Sequence, residues 1–180
     1  MTTTSVIEFD VVATTGSGWV ALWDAASFAH VTDQAGWEME LIEPDEAGHL
    51  SGGHLVPLNI LCDGRYGVRV RCGAEFAPVL DEREAAYRKL ESEPYLFRST
   101  GTVHVTGAEF IGTYEDEEPP QAFILPAGEY TVTVHLLDWE QEPGMVLPDG
   151  APDALPDFVV LVGPKTGEQF RRDEVTFDDI

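Results

Sequence analysis

Five histidines and 33 carboxylates are the residues of this chain that could do chemistry, and their spacing decides how much. His49 and His54 flank glycines in Gly48-His-Leu-Ser-Gly-Gly-His54, where two imidazoles could fold around zinc. Such a site needs three or four ligands, each oriented by supporting hydrogen bonds, and no Cys-x-x-Cys or His-Glu-x-x-His supplies them. The stretch therefore reads as a flexible polar loop, and no metal is expected. His104 and His135 fall on the polar faces of their strands, where they could meet across a sheet, and they read as surface histidines. Calcium would need an Asp-x-Asp-x-Asp-Gly loop, and Asp149-Gly-Ala-Pro-Asp153 lacks that ligand order. There is no Gly-x-Ser-x-Gly elbow, and Gly16-Ser-Gly18 runs into Trp19 where a phosphate loop would place lysine and a hydroxyl. Paired carboxylates could act as acid and base. With 33 acids, however, any fold brings two within several ångströms, so proximity alone carries no signal. No catalytic residue and no cofactor is assigned.

The stronger signal is electrostatic. Residues 1–64 and 99–164 contain no lysine or arginine but carry ten and twelve carboxylates, while the ten basic residues sit in 65–98 and 165–172. With a net charge of −23, this segregation gives a folded body faces of negative potential that steer cationic partners and repel nucleic acid. Arg69 and Arg71 stand at alternate positions of one strand and so share a face with each other. They read as balancing neighbouring carboxylates rather than gripping phosphate, which the field would oppose.

The elements that must carry these groups are mostly strands. Val6 to Ala13, Trp19 to Trp23, Trp37 to Ile42, Val56 to Cys62, Tyr66 to Cys72, Leu96 to Val105, Phe110 to Tyr114, Ala122 to Leu125, Tyr130 to Leu137 and Phe158 to Val162 are short, β-branched or aromatic, and bounded by Gly, Pro or Asp. In the clearest, Tyr130, Val132, Val134 and Leu136 point to a core while Glu129, Thr131, Thr133 and His135 point to water. One helix is expected at about 81–91, opened by Asp81 with Glu84 three residues on, as in a capping box. The expected fold is all-β, a mainly antiparallel sandwich or partly closed barrel with that helix laid over it. At 180 residues the chain reads as one domain, with a long proline-rich loop at 140–156 and a loose tail at 164–180. Asp63-Gly64 reads as a tight hairpin turn, whose register would hold the Cys62 and Cys72 thiols roughly 20 Å apart, as free thiols of a reducing compartment. Met1 to Phe9 has no cationic or long apolar segment, and no run of about 18 apolar residues follows, so a soluble cytoplasmic protein is expected.

Two acidic clusters are the candidate partner-binding residues. Glu115, Asp116, Glu117 and Glu118 form a run ended by two prolines, and Asp138, Glu140 and Glu142 bracket Trp139, an aromatic that could supply the desolvated anchor. From Gly101 onward the chain resembles the competence protein J family, small bacterial inhibitors of a nuclease that acts at DNA uptake. The likeness lies in Val103-His-Val-Thr106, the turn into Phe110-Ile111, the acidic interruption, and Phe123-Ile-Leu-Pro-Ala-Gly-Glu-Tyr-Thr-Val-Thr-Val134. It covers about a third of the chain, and residues 144–156 have no counterpart in it. The resemblance implies a β-rich protein that binds another protein, such as a nuclease, and turns over no substrate. The favoured expectation is thus an acidic inhibitor or immunity protein for a basic bacterial nuclease or toxin, touching neither nucleic acid nor membrane. The alternatives are an ordinary β-rich domain of a salt-adapted or high-GC organism, an enzyme of unrecognised type, or a sheet-built ligand carrier.

Overall fold

The computed structural model describes residues 6–42, 46–59, 62–112, 121–148, 151 and 153–178. Among the described residues ten strands run in the order β1 (Val6–Thr15), β2 (Trp19–Asp24), β3 (Leu55–Asn59), β4 (Gly64–Gly73), β5 (Arg88–Glu91), β6 (Tyr95–Ser99), β7 (Thr102–Gly107), β8 (Ala122–Ile124), β9 (Gly128–Leu137) and β10 (Phe158–Pro164). They form two sheets. The first has the order β1-β4-β10-β9-β5, with β6 sharing the β9 edge, and the second is β3-β2-β7-β8. Every pairing is antiparallel except β4 with β10. The architecture is the expected β-sandwich, and it does not close into a barrel.

β10 shows why this sequence folds as it does. Val68, Val70, Val132, Val134, Phe158, Val160 and Val162 turn into the main core between the sheets, against Val20, Leu22, Leu58 and Val105. Val159 and Leu161, on the opposite face of β10, are buried too, in a second cluster with Leu137 and Leu155 against which Leu80, Tyr87 and Trp139 pack. A continuous apolar run such as Phe158-Val-Val-Leu-Val162 belongs in the middle of a sheet covered on both faces. The outer cover comes from the stretch Leu80 to Tyr87 together with Trp139 and Leu155.

Several elements differ from the sequence expectation. The expected strand Trp37 to Ile42 is instead the end of a helix, α1 (Gln34–Leu41), with Ile42 as its C-cap and its N-terminus capped by Asp33 accepting from the Gly36 amide at 2.8 Å. Trp37 and Leu41 are the inward pair at i, i+4 spacing, while Met39 and Ile42 face solvent. The His49 stretch is α2 (Glu46–Gly52) and not a loop. The helix expected at 81–91 begins as foreseen, with the Asp81 carboxylate accepting from Glu84 N and the Glu84 carboxylate from Asp81 N, but α3 spans only Glu82–Ala86. From Arg88 the chain pairs with the β9 edge as β5, so a tertiary partner overrides helical propensity. Asp63-Gly64 does not join a hairpin: β3 lies on β2 and β4 on β1, so this turn carries the chain from one sheet to the other. Leu96 to Val105 is likewise two strands in different sheets, broken at Gly101 with φ +136°. Phe110 ends a single 3-10 turn, and Tyr114 lies outside the described residues.

The segment after β10 lies against the body. Arg171 N donates to Pro94 O at 2.8 Å, Tyr95 donates to Asp173 O at 3.1 Å, and Phe177 is buried.

Candidate functional site

Arg69 and Arg71 of β4 are structural. The β1–β4 register sets Glu8 opposite Arg71 and Asp10 opposite Arg69, and α3 lowers the fully buried Glu84 onto both guanidiniums. Arg71 donates to Glu84 at 2.8 and 2.9 Å and to Glu8 at 2.8 Å, and Arg69 donates to Asp10 at 2.8 Å and Glu84 at 3.2 Å. Burial by itself would raise the Glu84 pKa, but the Arg71 guanidinium, the Asp81 amide and Arg69 together hold it below the usual carboxylate range. Hydrogen bonding to Glu84 outweighs burial at Arg71, whose pKa is raised. These arginines balance neighbouring carboxylates, as their spacing suggested.

α3 also positions the second acidic cluster. Arg83 holds the Glu142 carboxylate with both arms, at 2.5 and 2.6 Å, and donates to Asp153 O at 2.8 Å, while Asp138 N donates to Tyr87 O at 2.8 Å. These contacts bring Asp81 and Glu82 of the α3 entrance, Asp138 and Glu140 of the 138–142 turn, and Asp153 to one end of the molecule. All but half-buried Asp138 are exposed. Glu142 pairs with Arg83, and hydrogen bonding from that guanidinium lowers its pKa. Asp81, Glu82 and Asp153 were missed in sequence because they are distant in the chain; only contacts through Arg83 join them.

Trp139 is half-buried against the outer core cluster, and its indole N–H donates to Asp157 Oδ1 at 2.9 Å. The other oxygen of Asp157 accepts from Gly67 N at 2.7 Å, and burial pushes this carboxyl up. The exposed apolar residues beside the acids are Met145, Val146 and Leu147, 42–64% exposed, between Gly144 and Pro148 of the proline-rich loop. Their signal was an uninterrupted apolar triplet inside a polar loop. Glu115, Asp116, Glu117 and Glu118 lie outside the described residues.

His104 and His135 are not the surface residues expected. His104 on β7 is buried with its ring stacked on Trp23 at 4.5 Å. His135 on β9 is 3% exposed, because the outer face of its sheet is itself covered, and burial lowers its pKa. The two stand in different sheets. His30, Glu40, His49 and His54 form a chain: Glu40 meets His30 at 3.0 Å and His49 at 2.7 Å, and His49 Nδ1 faces His54 Nδ1 at 3.1 Å. Hydrogen bonds from His30 and His49 lower the Glu40 pKa. This chain ties α1 to α2, and His49 rests on Phe28 at 4.6 Å. Among the described residues no group of His, Cys, Asp or Glu is arranged to hold a metal ion. No helix among them is long and apolar enough to cross a membrane.

The fold and the acidic end define a two-sheet β-sandwich whose acid-rich end is cross-tied by one arginine. No protein family matches the chain, and no curated protein matches it in sequence. Among solved structures it is similar to ComJ from Bacillus subtilis, an inhibitor of the DNA degrading activity of NucA, with a TM-score of 0.50, 11% identity, and coverage of 89% of this chain and 99% of that one. A second, described as crocagin biosynthetic gene J, has a TM-score of 0.48 and 17% identity over 91% of this chain and 99% of its own. The resemblance suggested by residues 101–134 is therefore met by ComJ, as a likeness of fold.

Proposed function

We propose that this protein is an acidic protein-binding module, an inhibitor or immunity protein for a basic, nuclease-like bacterial protein. The observation that carries this reading is where the cations go. Seven of the ten, Arg69, Arg71, Arg83, Arg88, Arg98, Lys165 and Arg171, are engaged by the protein's own carboxylates. Glu82, Glu140 and Asp153, by contrast, are exposed and in no ion pair among the described residues. A nuclease grips phosphates with lysine and arginine, and carboxylates held at similar spacing can occupy that cleft; charge complementarity then raises association rate and specificity. That ComJ, of similar fold, inhibits a DNA-degrading activity supports the inhibitor role. The binding residues in this reading are Asp138, Trp139, Glu140 and Glu142, with Glu115, Asp116, Glu117 and Glu118 as a second patch.

The test is capture of the partner from host lysate, followed by its association rate between about 0.05 and 0.5 M salt, where the Debye length falls from roughly 14 to 4 Å. A basic partner is expected, with an on-rate that drops steeply with salt and with Asp138→Lys and Glu140→Lys. A partner without a basic surface, or an on-rate indifferent to salt and to both reversals, would return the acidity to the host's proteome as a whole.

A further inference from the structure

The basic residues occupy two stretches of sequence, and one depression takes Arg98 from the first and all three cations of the second. A pocket of about 270 Å³ opens between α2, β6 and the segment after β10, lined by Arg98, Lys165, Arg171 and Arg172. These are four of only ten cations in a chain of net charge −23. Like charges gathered in one place repel unless anions sit among them. The protein supplies some: Glu129 accepts from Arg98 at 2.8 Å and Lys165 at 2.7 Å, Asp178 accepts from Arg171 at 2.8 Å, and Glu168 stands in the wall.

Arg171 shows that this supply falls short. Its side chain is 10% exposed, yet its Nε has no hydrogen-bond partner, its other nitrogens being taken by Asp178 and Val175 O. Nε is sealed from solvent beside Tyr95, so an anion in the pocket would act on the guanidinium charge as a whole, an attraction that is favourable at short range. Arg172 is exposed and in no ion pair among the described residues. The site is also built on fixed chain: Thr176 donates to Pro57 O at 2.6 Å, which with the Arg171 amide on Pro94 pins the segment on both sides of the pocket. Leu96 and Phe170 add an apolar wall.

We propose that this pocket binds a small phosphate monoester, with the phosphate held by Arg171, Arg172 and Arg98 and the organic part resting on Leu96 and Phe170. Guanidinium forks match phosphate oxygens, and several converging cations suit a dianion better than a single carboxylate. The volume lies just below that of drug-sized ligand sites, which run from about 300 Å³, and so suits a smaller molecule. The negative field of the remaining surface, screened beyond about 8 Å at physiological salt, opposes a long polyanion more than a small ligand in contact with these cations. The inference stands apart from the partner reading, because no residue of the acidic end takes part.

The probes are phenyl phosphate, inorganic phosphate and benzoate, titrated calorimetrically into the full chain at constant ionic strength. Phenyl phosphate should bind saturably at one site, more tightly than inorganic phosphate, with benzoate weakest. Arg172→Gln, which disturbs no ion pair among the described residues, should weaken binding about tenfold, and Arg171→Gln at least as much. Where Arg171→Gln fails to fold, Arg172→Gln decides alone. Arg98 is among the charges that depress the His54 pKa, after burial and His49, so saturation with phenyl phosphate should raise the His54 titration seen by NMR. No saturable binding of either phosphate, undiminished affinity in Arg172→Gln, or an unmoved His54 titration at saturation would each overturn the site.

Discussion

Replacing Glu84 with glutamine isolates the charge at the centre of the β1–β4–α3 junction. The residue is fully buried and accepts from Arg71 at 2.8 and 2.9 Å, from Arg69 at 3.2 Å and from the Asp81 amide at 2.9 Å. Glutamine preserves the volume and one acceptor oxygen but turns an amide nitrogen toward a guanidinium. Breaking one partner out of a buried ion pair costs about 3–5 kcal/mol. Glu8 and Asp10, with side chains 42% and 57% exposed, still face the two arginines, so the cost here falls at about 2–3 kcal/mol. For a domain of this size that lowers Tm by roughly 5–10 °C. The matched control is Glu8→Gln, an exposed partner worth under about 1 kcal/mol. Urea denaturation of both variants and the parent, at neutral pH and in acid, is the assay. Because the folded-state pKa of Glu84 is depressed, its contribution is complete above the ordinary glutamate value of about 4.3 and disappears as pH falls through the folded value. The parent and Glu84→Gln curves should therefore converge in acid. Equal losses from Glu84→Gln and Glu8→Gln would refute the claim that the buried carboxylate organises this junction.

Three other outcomes follow from the geometry. Cys62 is exposed, whereas burial pushes the Cys72 thiol up to about 12, so native protein should titrate one fast thiol with a disulfide reagent and release the second only on unfolding. Two fast thiols would contradict the packing around Cys72. A Cβ on Gly67 would sit 2.7 Å from Pro148 O, so Gly67→Ala should cost about 1–3 kcal/mol and expose the 140–156 loop to limited proteolysis; an unchanged cleavage pattern would count against this contact. Burial holds the His135 pKa below 6.5, so the unfolded chain takes up its proton first and stability should fall as pH drops from 6.5 toward the folded value. Stability curves of the parent and His135→Gln that run parallel there would show that His135 is not the cause.

What the sequence disclosed was local. The alternation of Val132 and Val134, the capping box of Asp81 and Glu84, and the shared face of Arg69 and Arg71 all depend on residues a few positions apart, and all are found in the fold. What it hid depends on remote partners. Leu96 to Val105 alternates as one strand, but at its middle Thr100 donates to the fully buried Asp24, and the chain there changes sheets. Trp37 to Leu41 alternates as well, and only the cap from Asp33 and the inward pair Trp37 and Leu41 make it helical. His135 lies on a polar face only if nothing covers that face. Val159, its partner on β10, is covered by Leu80, Tyr87 and Trp139, which no periodicity reports. The acidic end was half visible: Asp138 to Glu142 could be read as a cluster, but its union with Asp81, Glu82 and Asp153 depends on Arg83, which lies 59 residues before Glu142.

The parallel pairing of β10 with β4 sets the order in which this molecule can be made. β10 lies between β4 and β9, and its Phe158 pairs with Val68, 90 positions earlier. Until β10 leaves the ribosome, β1–β4 and the β9 group are two half-sheets, each with an unsatisfied edge and with Val68, Val70, Val132 and Val134 poorly shielded. Contacts of such long sequence separation slow folding, and open edges invite pairing with other chains. The sandwich therefore completes late, in one step that joins its two halves, and the yield of soluble protein during synthesis should depend on how quickly that last central strand is delivered.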